Sequence, residues 1–420
     1  MDNYLVRYIE STISKKMKSS GVVLVEGPKF CGKTTTSALF AKSEIRLNTK
    51  TAIQIARIEP FNVLLGERPR LIDEWQTVPD LWNQAKAWID ENPGFGQFIF
   101  TGSSTPVDNS DIFHSGAGRI TRVMMRPMSL FESQDSKGSV SLSSLFNNEN
   151  PVVFDMNEGY GLSDTAFLLC RGGWPLSIQP EREVALDVTA NYYESLFNLG
   201  NSENPKFRNK NPEILKLVMR AYARHISSQT STTKILADIS ARDSRTISSK
   251  TFEEYADILT DLFIIEDMEA WNPNLRSKTV VRSTPTHHFV DSSIAAQALG
   301  ASPADLMSDL NTFGLLFEDM AVRDLRVYAQ TINGNVLHYR DSRGLECDTI
   351  VHLKDGRWAP IEIKLGGDNL IEEGARNLMR LKSDIAEKNQ PSFMMILTAT
   401  GPAYRRQDGI YVVPINCLKA

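Results

Sequence analysis

Two groups of side chains in this 420-residue chain have the types and spacing for chemistry. The first is Gly27-Pro-Lys-Phe-Cys-Gly-Lys-Thr34, which fits G-x-x-x-x-G-K-[ST]. Glycines in such a loop let backbone N–H groups wrap a phosphate chain, and a following helix N-terminus favours the anion. Lys33 would reach the β- and γ-phosphates of ATP, and Thr34 would ligate Mg²⁺. Gly27, Pro28, Lys29, Phe30, Cys31, Gly32 and Thr35 complete the cradle. Downstream, Arg70-Leu-Ile-Asp-Glu-Trp75 ends an apolar run in two acids. Asp73 suits the metal and Glu74 suits the positioning of an attacking water. Phe98-Ile-Phe-Thr-Gly-Ser103 ends another run in hydroxyls, so Thr101 and Ser103 are candidate sensors of the γ-phosphate; a Ser/Thr-rich turn would read the same way. Arg119, in Gly116-Ala-Gly-Arg119, is a candidate phosphate contact in cis or from a neighbouring subunit, with a surface arginine as the plainer alternative.

The second group is Asp348, Glu362 and Lys364. In Ala359–Leu365 the strand period of two sends Ala359, Ile361, Ile363 and Leu365 one way and Glu362 with Lys364 the other. Two carboxylates held together can bind Mg²⁺, and a lysine beside them can stabilise phosphorane charge or polarise water. Glu318 is the candidate fourth member. It lies beside the apolar stripe Phe313, Leu316, Phe317, Met320 and Ala321 of a helix, with Leu315, Val322 and Leu325 around it. The alternative for Glu318 is an ion pair with Arg323, Arg340 or Arg343. For Glu362 and Lys364 it is a simple surface pair.

The elements that must position these residues follow from periodicity. Strands are expected at Val22–Val25, Arg70–Ile72 and Gln97–Thr101, with helices over Thr35–Lys42 and Val78–Asn92 and a further strand at Ile120–Met125. That alternation is the pattern of a parallel α/β sheet. The polar stretch Ser133–Asn150 reads as an exposed insertion or linker. Ser163–Leu199 reads as helical, broken at Arg171-Gly-Gly-Trp-Pro175. Helices at Glu213–Ile226, Thr233–Ile239 and Thr251–Leu262, then a strand at Phe263–Met268, give the element order of a winged helix. Arg242, Arg245, Ser248, Ser249 and Lys250 could there contact DNA phosphates, although Glu253, Glu254, Asp257 and Asp261 would repel them. The His287-His288 pair reads as structural. The last segment has helices Phe313–Tyr328 and Leu370–Lys388 among five strands.

The bulk numbers set limits. Net charge is −5, which argues against a generally basic coat for nucleic acid. Apolar residues make up 41% and charged residues 23%, enough core for two or three domains. Cys31, Cys170, Cys347 and Cys417 show no metal spacing and read as free thiols of a cytoplasmic protein. No window reads as a signal peptide or membrane span, so no membrane partner is expected.

Gly27–Thr34, Arg70–Gln76, Phe100–Ser104 and Ala117–Arg119, followed by Met128-Ser-Leu-Phe-Glu132, Arg171–Pro175, Gly314-Leu-Leu-Phe-Glu318 and Ile361-Glu-Ile-Lys364, resemble the bacterial and archaeal AAA+-type P-loop ATPases that carry an uncharacterised C-terminal domain. The resemblance spans nearly the whole chain and is weakest at Ser133–Asn150. It implies an α/β fold: an AAA+-like P-loop parallel sheet with helices at 1–132, an insertion and helical lid at 133–211, a winged-helix segment at 212–285, and a PD-(D/E)xK, restriction-endonuclease-like α/β domain at 286–420. The expected function is Mg²⁺-dependent ATP binding and hydrolysis with Glu74, Lys33 and Arg119 as catalytic residues, coupled to the nuclease-like half. Alternatives are an ATP-gated DNA nuclease and a slow ATP switch that binds a protein. DNA, a protein partner and further copies of the chain are the partner classes left open.

Overall fold

Short apolar runs become buried strands here because helices cover both faces of a parallel sheet. The structure is a computed structural model that describes residues 4–104, 116–147, 154–198, 210–243, 245–273 and 284–420. Its N-terminal layer holds helices α1 (Ile9–Met17), α2 (Lys33–Ala38), α3 (Lys50–Ile58), α4 (Pro60–Val63) and α5 (Leu81–Glu91). The strands are β1 (Val22–Glu26), β2 (Ser43–Arg46), β3 (Arg70–Asp73), β4 (Phe98–Gly102) and β5 (Ile120–Met124). They form one parallel sheet in the order β2-β3-β4-β1-β5. Alternate residues feed two cores. Val23, Val25, Leu71 and Ile99 pack with Ile9 and Ile13 of α1. Val22, Leu24, Ile72, Phe98 and Phe100 pack with Trp82, Ala85 and Ile89 of α5. The edge strand β2 (Ser-Glu-Ile-Arg) has no sequence signal, because its side chains alternate between half-buried and exposed and only one is apolar.

Ser133–Asn150 is not an exposed linker where it is described, and that expectation is corrected. Ser133 and Ser136 are buried, and Ser136 Oγ donates to Leu418 O at 2.7 Å. β6 (Val140–Ser141) pairs in parallel with β14 (Leu418–Lys419), and α6 (Leu142–Asn147) buries Leu142, Leu145 and Phe146. The polar composition misled because the hydroxyls bond to backbone carbonyls. Residues 148–150 lie outside the described set.

Helices α7 (Leu162–Arg171), α8 (Pro175–Ile178) and α9 (Arg182–Ser195) follow, separated at the Gly-Gly-Trp-Pro break. Next come α10 (Pro212–Arg224), α11 (Thr232–Arg242) and α12 (Ser249–Asp261). The expected strand Phe263–Met268 is reduced to isolated bridges, Ile265 to Phe289 and Met268 to Thr286. Phe263 takes φ 56°, a left-handed conformation that interrupts regular extension. Residues 274–283, where a wing would turn, lie outside the described set.

The last layer opens with α13 (Ser292–Leu299), α14 (Pro303–Ser308) and the 22-residue α15 (Leu310–Thr331). Its sheet runs β7 (Phe154–Asp155), β12 (Ala403–Arg405), β13 (Tyr411–Pro414), β11 (Met395–Thr398), β10 (Trp358–Lys364), β9 (Glu346–Leu353), β8 (Gly334–Arg340). Helix α15 packs on one face and α16 (Asp368–Asp384) on the other. Asp319, Arg323, Asp324 and Arg326 of α15 are all buried, so this helix is central rather than superficial. Among the described residues no helix is long and apolar enough to cross a membrane. All four cysteines are buried and unbridged.

Candidate functional site

At the C-terminal end of β1 the chain turns sharply before α2 begins at Lys33. Gly27 has φ 153°, and a Cβ there would lie 2.1 Å from Met125 O, so only glycine fits. Lys33 is buried and folds back over the loop, donating from Nζ to Gly27 O at 2.9 Å and Pro28 O at 2.7 Å. Cys31 is fully buried beneath the loop. Lys29, Phe30 and Thr35 are exposed, and the Phe30 ring stands edge-on to Tyr192 at 5.7 Å.

The strand order puts β4 between β1 and β3. Thr101 therefore sits in register with Val25 on one side and Asp73 on the other. Thr34 Oγ1 donates to Asp73 Oδ1 at 2.8 Å, and Thr101 Oγ1 donates to the same oxygen. Glu74 follows in the left-handed region at φ 58°. Its Oε2 accepts from Ser103 Oγ at 3.0 Å and from Gln76 Nε2. Lys33, Thr34, Asp73, Glu74, Thr101 and Ser103 thus share one end of the sheet, the carboxyl ends of the strands, where open α/β sheets bind ligands. Thr101 and Ser103 each hold one of the two acids, a job the sequence does not announce.

Arg119 is elsewhere, and its catalytic role in cis is corrected. Its carbonyl accepts from Val22 N at 2.9 Å, at the start of β1. The phosphate loop begins at the other end of that strand, about 16 Å away at ~3.3 Å per residue. The half-exposed guanidinium is bound instead to Asp90 at 2.7 Å. Arg7 is the loop contact that sequence reasoning missed. It is buried, and its Nη1 donates to Cys31 O at 2.8 Å, Nε to Glu132 Oε1 at 3.1 Å and Nη2 to Arg126 O at 2.7 Å. Its partners stand 24, 125 and 119 residues away, so no local pattern points to it.

In the C-terminal layer Lys364 Nζ lies 3.0 Å from Asp348 Oδ2 and 2.8 Å from Glu362 Oε2. Asp348 Oδ2 also accepts Ile363 N at 2.7 Å. Glu362 packs against α16, where Gly374 leaves room: a Cβ there would be 3.3 Å from Glu362 Cβ. Burial first, then the Asp348 charge, pushes Glu362 up to about 8, against the pull of Lys364. Burial and Asp348 likewise hold Glu318 well above the carboxylate range. Glu318 and Asp348 line a cavity of about 180 Å³ with Ser227, Gln229, Thr286 and His338. Arg323, Arg340 and Arg343 are paired with other acids: Arg323 with Asp291 and Asp324, Arg340 with Glu346, and Arg343 with Asp341 and Asp384. The four residues are therefore neighbours. Even so, no group of three His, Cys, Asp or Glu among the described residues is arranged to hold a metal ion. Lys364 bridges one oxygen of each of the two acids, and Glu362 Oε1 is buried with no hydrogen-bond partner among the described residues.

Three of the five residues proposed for DNA contact have local partners. Arg242 pairs with Asp238 at 2.8 Å, Ser248 Oγ caps α12 by accepting Thr251 N at 3.0 Å, and Ser249 Oγ donates to Glu253 at 2.9 Å. Arg245 and Lys250 are exposed. His288 is buried against Asp319 at 2.9 Å, while His287 contacts Asp267 and Tyr222.

Comparisons with known families match three successive segments of the chain. Residues 19–134 match a family model described as AAA domain. Residues 162–305 and 313–418 match two models each described as a domain of unknown function, DUF8612 and DUF4143. Uncharacterized protein Rv2008c of Mycobacterium tuberculosis and Uncharacterized protein Mb2031c of Mycobacterium bovis are each 24% identical over 375 residues, covering 87% of this chain and 75% of theirs. A solved STAND (Signal Transduction ATPase with Numerous Domains) protein with a tetratricopeptide repeat sensor, from Pyrococcus horikoshii, shares 13% identity at a TM-score of 0.27. That match covers 79% of this chain and spans only 50% of that protein's length. The McrB AAA+ hexamer assembly with bound McrC from Thermococcus gammatolerans gives 11% identity and a TM-score of 0.19, covering 70% of this chain and 74% of that one. At such TM-scores neither likeness bears on this fold. The AAA match and the parallel sheet together support an AAA-like domain over residues 19–134.

Proposed function

We propose that the chain binds ATP with Mg²⁺ at the Gly27–Thr34 loop and hydrolyses it. The observation that carries this reading is the gathering of Lys33, Thr34, Asp73 and Glu74 at one end of the parallel sheet. The donor set fits the ion: the Thr34 hydroxyl and the Asp73 carboxylate are already 2.8 Å apart and would hold it. Bound there, Mg²⁺ would neutralise charge on the phosphates. Lys33 releases its two carbonyl contacts and turns its charge to the β- and γ-phosphates. Glu74, aimed by Ser103 and Gln76, orients water for in-line attack on the γ-phosphorus. The Thr101 hydroxyl steadies Asp73 throughout. Arg119 takes no part within one chain.

Nucleic-acid cleavage at the C-terminal cluster is the second reading. Its residue types are right, but Lys364 bonds one oxygen of each carboxylate, so a divalent cation would have to displace it. The slow-switch reading shares the ATP site and differs only in rate. One experiment separates these readings: ATP turnover measured with and without DNA, beside a cleavage gel with Mg²⁺ and Mn²⁺. Turnover that Glu74→Gln abolishes is expected, with no cleavage that Asp348→Ala alters. Full turnover in Glu74→Gln would sink the assignment of Glu74.

A further inference from the structure

Two motifs that contain no part of the phosphate loop, Met128–Glu132 and Arg171–Pro175, are fastened by a single side chain. That side chain is Arg323 of α15, in the C-terminal layer, and it is 1% exposed. Its Nη1 donates to Asp291 Oδ2 at 2.8 Å, and its Nε and Nη2 donate to Asp324 Oδ1 at 2.9 and 2.7 Å. Each acid then accepts a backbone N–H from a different motif.

On the first arm, Asp291 Oδ2 accepts Gly173 N at 2.9 Å. Asp291 Oδ1 accepts from Ser293 Oγ at 2.5 Å, and Ser293 Oγ accepts from Trp174 Nε1 at 3.0 Å. Trp174 rests on Tyr192 with ring centroids 4.2 Å apart, and Tyr192 meets Phe30 of the loop. Pro175 Cγ lies 3.6 Å from where a Cβ on Gly32 would stand. On the second arm, Asp324 Oδ2 accepts Leu130 N at 2.9 Å. Two residues on, Glu132 holds Arg7, whose Nη1 donates to Cys31 O. One arm therefore supports the outside of the loop and the other grips its inner carbonyl.

Arg7, Glu132, Asp291, Arg323 and Asp324 are all buried, and each is paired. Apolar side chains of the same volume commonly stabilise a core as well as a buried ion network does. Stability alone does not call for this one. What it adds is direction: polar groups with fixed geometry at both ends of each arm.

We infer that Arg323 is a positioning residue for ATP binding, fixing through Asp291 and Asp324 the two supports on which the phosphate-binding loop rests. This rests on the P-loop reading above and extends it to a residue nearly 300 positions downstream. By linkage, supports that strengthen ATP binding are themselves strengthened when ATP binds. Helix α15 also carries Glu318, so the nucleotide loop and the C-terminal cavity bear on one rigid element.

The test uses the full chain and the variants Arg323→Lys, Asp324→Asn and Ser293→Ala, with Lys33→Ala as reference. ATP affinity is read by calorimetry, kcat and KM by turnover, folding by thermal unfolding, and the Leu130 and Gly173 amides by hydrogen exchange. Arg323→Lys and Asp324→Asn should raise Kd and KM by about tenfold while kcat stays within about twofold. ATP should slow exchange at Leu130 and Gly173 in the wild type and not in Asp324→Asn. Ser293→Ala removes only the hydroxyl that accepts from the Trp174 indole and keeps the test open if the charge variants do not fold; its KM should rise about threefold. A merely structural role would lower the melting temperature and leave the Kd of the folded protein unchanged. Folded variants with wild-type Kd and wild-type exchange would overturn the proposal. Lys33→Ala separates the two failures. Wild-type affinity there removes the P-loop reading itself, whereas lost affinity there with unaltered α15 variants removes only the positioning role.

Discussion

The nucleotide site and the C-terminal acid–lysine cluster use the same residue types in opposite ways. In the first, the lysine is bonded to backbone carbonyls and each acid to a neutral hydroxyl or amide. Among the described residues nothing of opposite charge is bonded to Asp73 or Glu74, so both stay available to a cation and a water. In the second, the lysine stands between the two acids and bonds one oxygen of each. A charge bonded to an opposite charge must give up that partner before it can take a ligand; charges held by neutral groups stay ready for one. Finding an acid next to a lysine in a sequence cannot tell these two cases apart, because strand alternation fixes only the face, not what the lysine bonds to.

That contrast can be broken from either side. The largest expected effect is at the loop. Lys33→Ala should weaken ATP binding by about a thousandfold, the scale for truncating one partner of a desolvated charge pair. Lys364→Ala should leave ATP affinity within twofold. Calorimetry on both variants checks the pair; equal losses would erase the distinction. Glu74→Gln comes next, with kcat down about a hundredfold and ATP affinity retained, since the amide cannot take a proton. A steady-state assay beside calorimetry reads it.

Lys364→Met tests the C-terminal cluster. It leaves Asp348 and Glu362 without their cation, and breaking such a pair should cost about 3 kcal/mol of stability. The expected readout is an earlier denaturant midpoint with unaltered ATP turnover. A stabilised variant would show that the lysine is kept against the fold's interest.

A smaller effect places acid sensitivity in the C-terminal half. Burial first, then the Arg326 charge, holds His288 down at about 3. Unfolded, a histidine titrates near about 6.5. Between those values the unfolded chain binds a proton that the folded chain refuses. Stability from this residue is therefore complete above about 6.5 and falls by about 1.4 kcal/mol per unit as pH drops toward 3. Denaturant unfolding at a series of pH values should show the slope, and His288→Gln should reduce it by one proton. The smallest effect is Arg119→Ala, which should leave the turnover of single chains within twofold. A large loss that reappears only at high protein concentration would bring the arginine back as a contact between subunits.

Much of the nucleotide site was legible because its parts are local. A glycine-rich loop must sit between a strand and a helix, and acids that end an apolar strand must emerge at the sheet's edge; both facts follow from backbone geometry within ten residues. The three helices from Pro212 to Asp261 and the long helix through Glu318 were legible for the same reason, from apolar spacing alone. The short polar strand β2 and the strand β6 inside a serine-rich stretch were not, since their partners, and not their side chains, make them strands.

By itself the sequence determined the loop, the acid pair, the longer helices and most buried strands, and which residues could do chemistry. Tertiary structure decided the rest. It put Arg119 at the wrong end of the sheet, gave Thr101 and Ser103 to the acids, set Lys364 between Asp348 and Glu362, and brought Arg7 to the loop and Arg323 to the acids that hold Leu130 and Gly173. The physical reason is range. Backbone preference and side-chain periodicity act over a few residues, whereas a buried charge takes whatever partner the packed chain brings within about 3 Å, whatever their separation in sequence.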